Sequence, residues 1–390
     1  MPRLLHMADV HLGARHHDLG PAAAAQRECQ FDAFSRAIEL AISEKVELVL
    51  VCGDLFDSNS QPRRSVERAA AELKRLVERH IPIVLIPGTH DCYDASSIYR
   101  VFNLPQMAGV AADSDALVVL TDERPQVTYP DLDTTVHGRV VRTKRASASP
   151  FASLNVERGA DSSRWQIGMI HGSLAVPGKV EQDDVLFTES EVANSGLDYL
   201  ALGHWHSFRE GRARDTVWAY AGAPEPVAMD QDGAGRVLLV SLTEAGGRRR
   251  VKVEPRTVGR TRILRLDIDA GSLGSQAELA QRLSEMADPN LVLDVRLAGV
   301  AADGIEIHSD EVEQRLQASF LRLRVRDNSV AALPEGPPPP ADTIAGAFVL
   351  DLQERIADQE REAPEAAAEL REALRLGRLL LEDPQRVTLV

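Results

Sequence analysis

The sequence contains little cysteine, few aromatic residues and no long hydrophobic run. Its three cysteines, Cys29, Cys52 and Cys92, form no CxxC pair, and an odd number is typical of reduced thiols rather than of a disulfide framework. No apolar stretch approaches the ~20 residues that span a bilayer. The N-terminal residues MPRLLHMADVHLG are charged and polar where a signal peptide is apolar. These absences argue against a membrane-embedded or disulfide-built protein and predict a cytoplasmic one.

Positive charge is also in short supply. The chain has 44 Lys and Arg residues against 59 Asp and Glu residues, so its formal net charge is −15 at pH 7. That balance argues against a simple basic nucleic-acid coat protein. It does not argue against a nuclease, because bound cations can offset local negative charge. Aromatic residues make up only 4% of the chain, and no stacking platform for single strands is evident.

The first two-thirds of the 390 residues alternate short apolar runs with amphipathic segments. Runs 4–8, 46–52 and 82–87 predict buried strands, and segments 31–45 and 64–80 predict the helices between them. This alternation is typical of an α/β domain with a largely parallel sheet. Further strands then close a domain that we expect to end near residue 255, and they are predicted at 117–120, 134–141, 166–171, 198–203, 216–221 and 235–242.

The remaining third predicts three parts. Residues 256–332 have a small α+β pattern, with strands at 261–269, 291–298 and 321–326 and helices at 275–286 and 310–319. Residues 333–341, LPEGPPPPA, form a stiff linker, because proline donates no backbone hydrogen bond. Residues 342–390 predict two amphipathic helices, the second beginning at Pro364. Their predicted apolar stripes are Ile344, Phe348, Leu352 and Ile356, then Leu370, Leu374, Gly377 and Leu381.

Five short segments place His or Asp directly after an apolar, strand-like run. Ligands of α/β sheets bind beyond the carboxyl ends of the strands, so these segments should converge at one edge. Histidine with aspartate, and without cysteine, suits Zn, Mn or Fe. Each segment alone is weak, since GDxxD can be a turn and a buried His is more often a core residue. Together they predict a metal site, and they are Asp9-Val10-His11, Gly53-Asp54-Leu55-Phe56-Asp57, Gly88-Thr89-His90-Asp91, His171-Gly172 and Gly203-His204-Trp205-His206.

The order DxH, GDxxD, GxHD, H, GHxH resembles the calcineurin-like metallophosphoesterase superfamily. The words ADVHLG, LVLVCGDLFD and IPIVLIPGTHD resemble, more narrowly, the SbcD-like (YhaO-type) DNA repair nuclease subunits over residues 1–225. The resemblance implies a four-layer sandwich of two mixed β-sheets flanked by helices. It also implies a small α+β capping domain and C-terminal helices.

The resemblance also implies roles for the site residues. The first metal would be held by Asp9, His11 and His206, the second by His171 and His204, and Asp54 would bridge both. The family's GNHD motif supplies an Asn ligand where this chain has Thr89, a poorer neutral ligand. His90 would stabilise or protonate the leaving oxygen, with Asp91 orienting it, and Asp57 would support the turn.

Two divalent metal ions, with Mn favoured, would therefore cleave a phosphodiester bond by activating water. Because the histidines must be neutral to bind metal, activity should fall as the pH drops through the histidine range. The leading hypothesis is a DNA exonuclease or endonuclease subunit. The alternatives are a phosphoesterase of small nucleotides or phosphoproteins, because the same core serves several substrates, and a scaffold whose metal site is weakened by Thr89.

Basic side chains are the candidates for contact with DNA phosphates. In the strand 321–326 alternation should place three arginines on one face. By resemblance the C-terminal helices, with eleven acidic and five basic residues over 342–383, would dock to an SMC-like ABC ATPase rather than to DNA. Helix 64–80 is the candidate for a homodimer contact, although its apolar face could equally cover the sheet. The candidate DNA contacts are Arg142, Lys144, Arg145, Arg248, Arg249, Arg250, Arg322, Arg324 and Arg326.

Overall fold

The computed structural model of the protein describes residues 2–143, 148–154, 156, 158–176, 178, 180, 185–228, 231, 233–301, 305–330 and 338–382. The chain divides into two compact units, the first ending at Thr261 and the second beginning at Arg262. The expected domain end near residue 255 lies six residues before the end of the first unit, inside the strand Arg248–Thr257. That strand pairs along its whole length with Arg236–Ala245 of the first unit.

The strands, in chain order, are β1 (Arg3–Met7), β2 (Leu48–Cys52), β3 (Ile83–Ile86), β4 (Leu117–Val119), β5 (Gln126–Tyr129), β6 (Thr134–Gly138), β7 (Trp165–His171), β8 (Ser173–Leu174), β9 (Leu186–Phe187), β10 (Tyr199–Gly203), β11 (Arg209–Ala213), β12 (Thr216–Tyr220), β13 (Arg236–Ala245), β14 (Arg248–Thr257), β15 (Arg262–Asp269), β16 (Asp288–Ala298) and β17 (Phe320–Asp327). The α-helices are α1 (Ala23–Ser43), α2 (Arg63–Val77), α3 (Ile98–Val101), α4 (Leu104–Met107), α5 (Glu189–Ala193), α6 (Gln276–Ser284), α7 (Ser309–Leu316), α8 (Ile344–Glu362) and α9 (Pro364–Glu382).

The first unit is built on two six-stranded mixed sheets. Their strand orders are β14-β13-β1-β2-β3-β4 and β11-β12-β10-β7-β6-β5. In the first sheet β1 to β4 are parallel, and in the second β6, β7, β10 and β12 are parallel. An apolar core between the sheets joins residues such as Leu50 and Ile167, and a second core packs α1 and α2 on the outer face of the first sheet. The predicted α/β sandwich of two mixed sheets flanked by helices is therefore confirmed.

Helix α1 begins eight residues before the predicted start at 31. The added residues, Ala23–Gln30, lack an apolar stripe because Gln26 and Gln30 occupy its buried positions. Gln26 donates a hydrogen bond to the carbonyl of Pro226, and the Gln30 Oε1 atom bonds the His16 ring. The apolar pattern did not predict this part of the helix, because its buried side chains are polar and have hydrogen-bond partners elsewhere in the chain.

The apolar face of α2 points into its own unit. Val66, Ala69, Leu73 and Leu76 are buried in the core against the first sheet. For this apolar face the sheet-facing alternative is the one observed, and a homodimer contact through the helix stays a prediction.

The second unit contains a three-stranded parallel sheet in the order β15-β16-β17. Helices α6 and α7 follow β15 and β16 in the chain, so the small pattern that we described as α+β alternates as βαβαβ. Both helices pack on one apolar face, through residues such as Leu279, Leu293 and Val312. The other face is charged and carries Arg322, Arg324 and Arg326, as the alternation predicted.

Helices α8 and α9 pack against each other in the same unit. Pro364 begins α9 as predicted, and the ring of Phe348 lies where a Cβ atom on Gly377 would be. The predicted stripes are partly wrong: Ile344 is 81% exposed and Leu381 is 45% exposed, while Leu379 is buried. Of the linker predicted at 333–341, residues 333–337 lie outside the described residues, as do residues 383–390.

Helices α8 and α9 belong to the same compact unit as the small sheet. Arg375 of α9 donates a hydrogen bond to the carbonyl of Gly271, 3.0 Å away, and it lies 3.4 Å from the Asp269 carboxylate at the end of β15. Residues from Arg262 onward accordingly form one unit. Among the described residues we find no helix long and apolar enough to cross a membrane.

Candidate metal centre

The His and Asp residues that follow the strands meet at one edge of the sandwich. Asp9 follows β1, Asp54 follows β2, Thr89 follows β3, and His171 and His204 stand at the ends of β7 and β10. All five strands are parallel members of their sheets, so their carboxyl ends lie on the same side. The structure thereby brings together segments that are almost 200 residues apart in the sequence.

Several of these residues have an unusual backbone conformation. The φ angles of Asp9, His11, Asp54 and His204 are 55°, 49°, 50° and 100°. Non-glycine residues with positive φ are uncommon, and such strain clusters at functional sites. Gly53, directly before Asp54, also has a positive φ, of 83°, which glycine adopts at little cost. At the other four positions the strained residue is a candidate ligand itself.

Asp9, His11 and His206 form the first cluster. One ligand atom from each lies within 4.8 Å of the others. The Nε2 atoms of His11 and His206 are 3.1 Å apart, and Asp9 and His11 are buried. Two nitrogens and a carboxylate that converge in this way form a suitable donor set for a divalent transition metal.

Asp9, Asp54 and His171 form the second cluster, so Asp9 is common to both. The His171 Nε2 atom lies 3.1 Å from Asp54 Oδ2. On the other side of the ring, His171 Nδ1 donates a hydrogen bond to the carbonyl of Cys52 at 2.9 Å. That bond fixes the tautomer and leaves Nε2, the nitrogen beside Asp54, free of its proton in the neutral ring.

Thr89 lies in this second cluster. Its Oγ1 atom is 3.4 Å from Asp54 Oδ2 and 3.4 Å from His171 Nε2. The side chain is buried. A neutral oxygen therefore stands where the resemblance implies an asparagine ligand.

His204 is oriented differently. Its backbone N–H donates to both Asp9 carboxylate oxygens, at 2.9 and 3.1 Å. Its ring centroid lies 5.3 Å from that of His171, edge to face. His204 is outside the His and Asp clusters found among the described residues, which are the two above and a third of His11, Asp57 and His90. Its part in metal binding therefore stays a prediction.

Asp57 holds two histidine rings. Its carboxylate Oδ1 is 3.3 Å from His11 Nδ1, and its backbone carbonyl accepts a hydrogen bond from His90 Nδ1 at 3.0 Å. The His90 ring stands edge to face against His11, with 4.6 Å between the centroids, and its side chain is 45% exposed. Nδ1 of His90 is thus bound to Asp57, and the ring is partly open to solvent.

Asp91 has a role other than the predicted one. Its Oδ1 accepts hydrogen bonds from the backbone of Gly88 and Asp54, and its Oδ2 accepts from the backbone of Phe56 and from the Tyr99 hydroxyl at 2.5 Å. The group that orients His90 is Asp57. The expectation that Asp91 orients His90 is therefore corrected. Its buried carboxylate instead accepts hydrogen bonds from Tyr99 and from the two loops that carry Asp54 and Thr89.

The electrostatics of the site favour positive charge beside the carboxylates. Burial alone would lower the pKa of His171, but Asp54 and then Asp9 outweigh it and raise that pKa to about 9. Burial alone would raise the pKa of Asp54, but His171, then His11 and His90, lower it well below its usual range. Buried carboxylates that draw charge to neighbouring nitrogens in this way provide the setting of a cation site. The residues present therefore fit the divalent metals that the resemblance implies.

Sequence reasoning missed Gln231 and Tyr99. The Gln231 amide contacts His206 Nδ1 and also accepts a hydrogen bond from the Val227 backbone at 2.9 Å. Tyr99 supports Asp91. Neither residue is in a strand-end motif, so only the tertiary structure shows these contacts. In the sequence, Tyr99 is marked only as an aromatic residue eight positions after Asp91.

The predicted DNA contacts separate by position. Arg142 follows β6 at the same edge as the candidate centre, is exposed, and lies 2.5 Å from Asp122.

Arg249 instead pairs with Asp198, just before β10, and donates to the carbonyl of Arg164, just before β7. Those are the amino ends of the strands whose carboxyl ends carry His171 and His204. The β13–β14 hairpin that holds Arg248, Arg249 and Arg250 is thus at the opposite edge, which does not support contact with DNA at the centre. Lys144 and Arg145 lie outside the described residues.

Comparisons with known proteins agree with this geometry. The family model for calcineurin-like phosphoesterases matches residues 2–208. The DNA double-strand break repair protein Mre11 of Aeropyrum pernix is 29% identical over 283 residues, which cover 70% of this chain and 65% of that protein. The Mre11 protein of Saccharolobus solfataricus is 30% identical over 227 residues, 58% of this chain and 55% of that one. The uncharacterized metallophosphoesterase YhaO of Bacillus subtilis is 24% identical over 244 residues, 61% of this chain and 57% of that one.

The chain belongs to the calcineurin-like phosphoesterase family, a class of hydrolases that uses divalent metal ions. Within it, the similarity to Mre11 and YhaO proteins confirms the predicted resemblance to the DNA repair nuclease group. The chain matches between 55% and 65% of the length of these three relatives.

Proposed function

We propose that this protein is a two-metal phosphodiesterase that cleaves DNA. The observation that carries the proposal is the pair of adjoining buried clusters, Asp9–His11–His206 and Asp9–Asp54–His171, at the carboxyl edge of the two sheets. Adjoining donor sets of this kind suit two cations that act on one phosphate. The similarity to DNA double-strand break repair proteins supports DNA as the substrate.

The ligands in this proposal are those that the resemblance implies. They include all residues of the two clusters, but they place Asp54 rather than Asp9 between the ions and add His204 and Thr89. Asp9, His11 and His206 would hold one ion, and His171, His204 and Thr89 would hold the other, with Asp54 between them. Mn is the favoured metal because the donors are His and carboxylate without thiolate. Bound ions would supply the charge that holds the scissile phosphate and lowers the pKa of the attacking water.

The chain's own residues would then orient the reaction. Asp57 fixes both His11 and His90 through the contacts at 3.3 and 3.0 Å. In the neutral ring the proton is on His90 Nδ1, which donates a hydrogen bond to the Asp57 carbonyl. Nε2 therefore carries a proton only when the ring is charged. A charged His90 would donate the Nε2 proton to the leaving oxygen of the phosphodiester. The His90 side chain is 45% exposed and is therefore accessible to a substrate. The His11 ring, which stands against it, is buried.

Contacts to the DNA backbone would come from arginines that are exposed or partly exposed. Arg142 lies at the edge of the site. Arg322, Arg324 and Arg326 share the charged face of the small sheet, where Arg326 pairs with Asp294 at 2.6 Å. Phosphate contacts carry no sequence information, so we expect cleavage without sequence specificity.

We also propose that the α8–α9 helix pair docks to the coiled coil of an SMC-like ABC ATPase. The pair exposes large apolar side chains: Ile344, Leu350, Leu380 and Leu381 are 81%, 54%, 37% and 45% exposed. Exposed apolar residues on an otherwise acidic helix pair favour a protein contact over a DNA contact.

The test is cleavage of an end-labelled DNA duplex with Mn²⁺ by the parent protein, by Asp54→Ala and by Asp131→Ala. Asp131 is an exposed carboxylate of the same unit and serves as the matched control. We expect cleavage by the parent and by Asp131→Ala, and none by Asp54→Ala. Hydrolysis of a small phosphodiester without cleavage of DNA would favour the small-substrate alternative. Silence on both substrates, with less than one Mn²⁺ bound per chain, would favour the scaffold.

A further inference from the structure

Trp205 lies between the candidate ligands His204 and His206, and its ring is fixed on two sides. One face stacks on Tyr220, with 4.6 Å between the ring centroids and 14° between the planes. The indole Nε1–H donates a hydrogen bond to Ser173 Oγ at 2.7 Å. The ring therefore has one orientation, which is set by groups outside its own loop.

Tyr220 is a rigid base for this stack. It is fully buried, its hydroxyl donates to the Gly172 carbonyl at 2.9 Å, and it accepts from the Leu174 backbone N–H at 2.8 Å. Trp218 stands edge to face against it, with 6.2 Å between the centroids. Aromatic pairs in these two arrangements are favourable, so the stack is held in place before any ligand binds.

The other face of Trp205 borders a cavity of about 470 Å³. Phe208 and Arg209 line it, together with His204 and His206. The guanidinium of Arg209 lies over the indole at 5.2 Å from the ring centroid, and this side chain is exposed. Arg209 thus covers part of this face, and a ligand that stacks there has to displace it. The cavity is within the usual range for small-ligand sites.

We propose that the open face of Trp205 is a nucleobase subsite, which stacks on the base of the nucleotide whose phosphate lies at the candidate metal centre. The inference rests on the proposed function, since it assigns a place to one part of the DNA substrate. The exposed Arg209 side chain moves aside when the base enters. Every base has a π-face, so the subsite accepts all four bases without sequence preference.

The proposal separates two roles of Trp205. A ring that only supports the loop of His204 and His206 would affect every phosphate ligand equally. A ring that stacks on a base would affect only ligands that contain one. The informative comparison is therefore between two ligands that share the phosphate and differ in the base.

The first experiment is calorimetric binding of dAMP and of 2-deoxyribose 5-phosphate to the full-length protein in Mn²⁺. We expect dAMP to bind roughly tenfold more tightly, since base–aromatic stacking contributes at this level. Trp205→Leu should remove the difference, and Trp205→Phe should keep part of it. Equal affinities in the parent protein, or an equal loss of both ligands in Trp205→Leu, would overturn the proposal. If Trp205→Leu does not fold, the parent ratio and Trp205→Phe decide the question.

A cleavage assay separates this inference from the proposed function. Its substrates are a DNA duplex with natural nucleotides at the ends and one with abasic tetrahydrofuran residues there. Preference for the natural duplex in the parent, lost in Trp205→Leu, supports the subsite. Cleavage of both duplexes at equal rates overturns it while DNA cleavage stands. If neither duplex is cut, DNA cleavage fails, and the monophosphate comparison still tests the stacking face.

Discussion

Thr89 Oγ1 lies 3.4 Å from His171 Nε2, and the same oxygen lies 3.4 Å from Asp54 Oδ2. The hydroxyl thus faces the two atoms that a metal ion in the second cluster would contact. The GNHD motif that this segment resembles has asparagine, with a longer side chain, at this position. The shorter threonine is therefore the feature by which this chain should differ in metal affinity.

We predict that Thr89→Asn strengthens the second metal site. An amide oxygen is a better neutral ligand than a hydroxyl, and changes around a metal alter affinity by about 10-fold or more. The Mn²⁺ concentration for half-maximal phosphodiesterase activity should therefore fall by about 10-fold. Thr121→Asn, in a turn of the same unit, is the matched control. An unchanged Mn²⁺ dependence in Thr89→Asn would mean that residue 89 does not face the ion.

His90→Gln should slow only reactions that need a general acid. Such a proton transfer contributes roughly 10²–10⁴-fold to the rate, so cleavage of DNA should fall within that range. The p-nitrophenolate group leaves without a proton, and hydrolysis of bis(p-nitrophenyl) phosphate should change little. The measurement is kcat on both substrates. An equal loss on both would indicate that His90 acts through the metal ligands, since its ring contacts His11.

The sequence was sufficient to predict that several of the candidate His and Asp residues lie close together at one edge of the sheets. Each candidate follows a buried apolar strand, and parallel strands end at one edge, so Asp9, Asp54 and His171 could be placed together before the structure was known. The same reasoning predicted that Arg322 to Arg326 share one face. These predictions succeeded because they depend on strand periodicity and direction, which are local properties.

Contacts between distant segments were not predictable in this way. Asp91 follows His90 in the chain, yet its carboxylate bonds the backbone of Asp54 and Phe56. Arg249 appeared to be a DNA contact, but the direction of β14 places it at the opposite edge, beside Asp198. Neither outcome follows from residue type or periodicity, because both depend on which strand pairs with which.

Asp91→Asn should destabilise the fold before it affects the chemistry. The amide would direct a donor at one pair of the groups that now donate to the carboxylate, the Gly88 and Asp54 N–H groups or the Phe56 N–H and Tyr99 O–H groups. Buried donors left without an acceptor cost about 1–3 kcal/mol each. Urea unfolding should show a loss of that order, with a smaller loss for Tyr99→Phe. Asp94→Asn, three residues away and bonded to Ser96, is the control. Full stability together with lost activity would return Asp91 to a catalytic role.

His6 should make the stability of the first unit depend on pH. The ring is fully buried on β1 and bonds the Tyr199 hydroxyl of β10 at 2.9 Å, so it links the two sheets. Burial lowers the pKa of His6 from its ordinary 6.5 to about 3. Because the unfolded chain binds this proton more tightly, the contribution of His6 to stability is complete above pH 6.5 and is lost as the pH falls toward 3.

At pH 5 the loss from His6 should amount to about 2 kcal/mol relative to pH 7, at about 1.4 kcal/mol per pH unit. His6→Gln keeps a polar partner for Tyr199 and removes the titration, so its free energy of unfolding should fall less between pH 7 and pH 5. The measurement is urea unfolding at both values for the parent, for His6→Gln and for His80→Gln, which replaces an exposed histidine. Parallel losses in the parent and in His6→Gln would show that His6 is not the group that titrates, whatever its burial between the sheets.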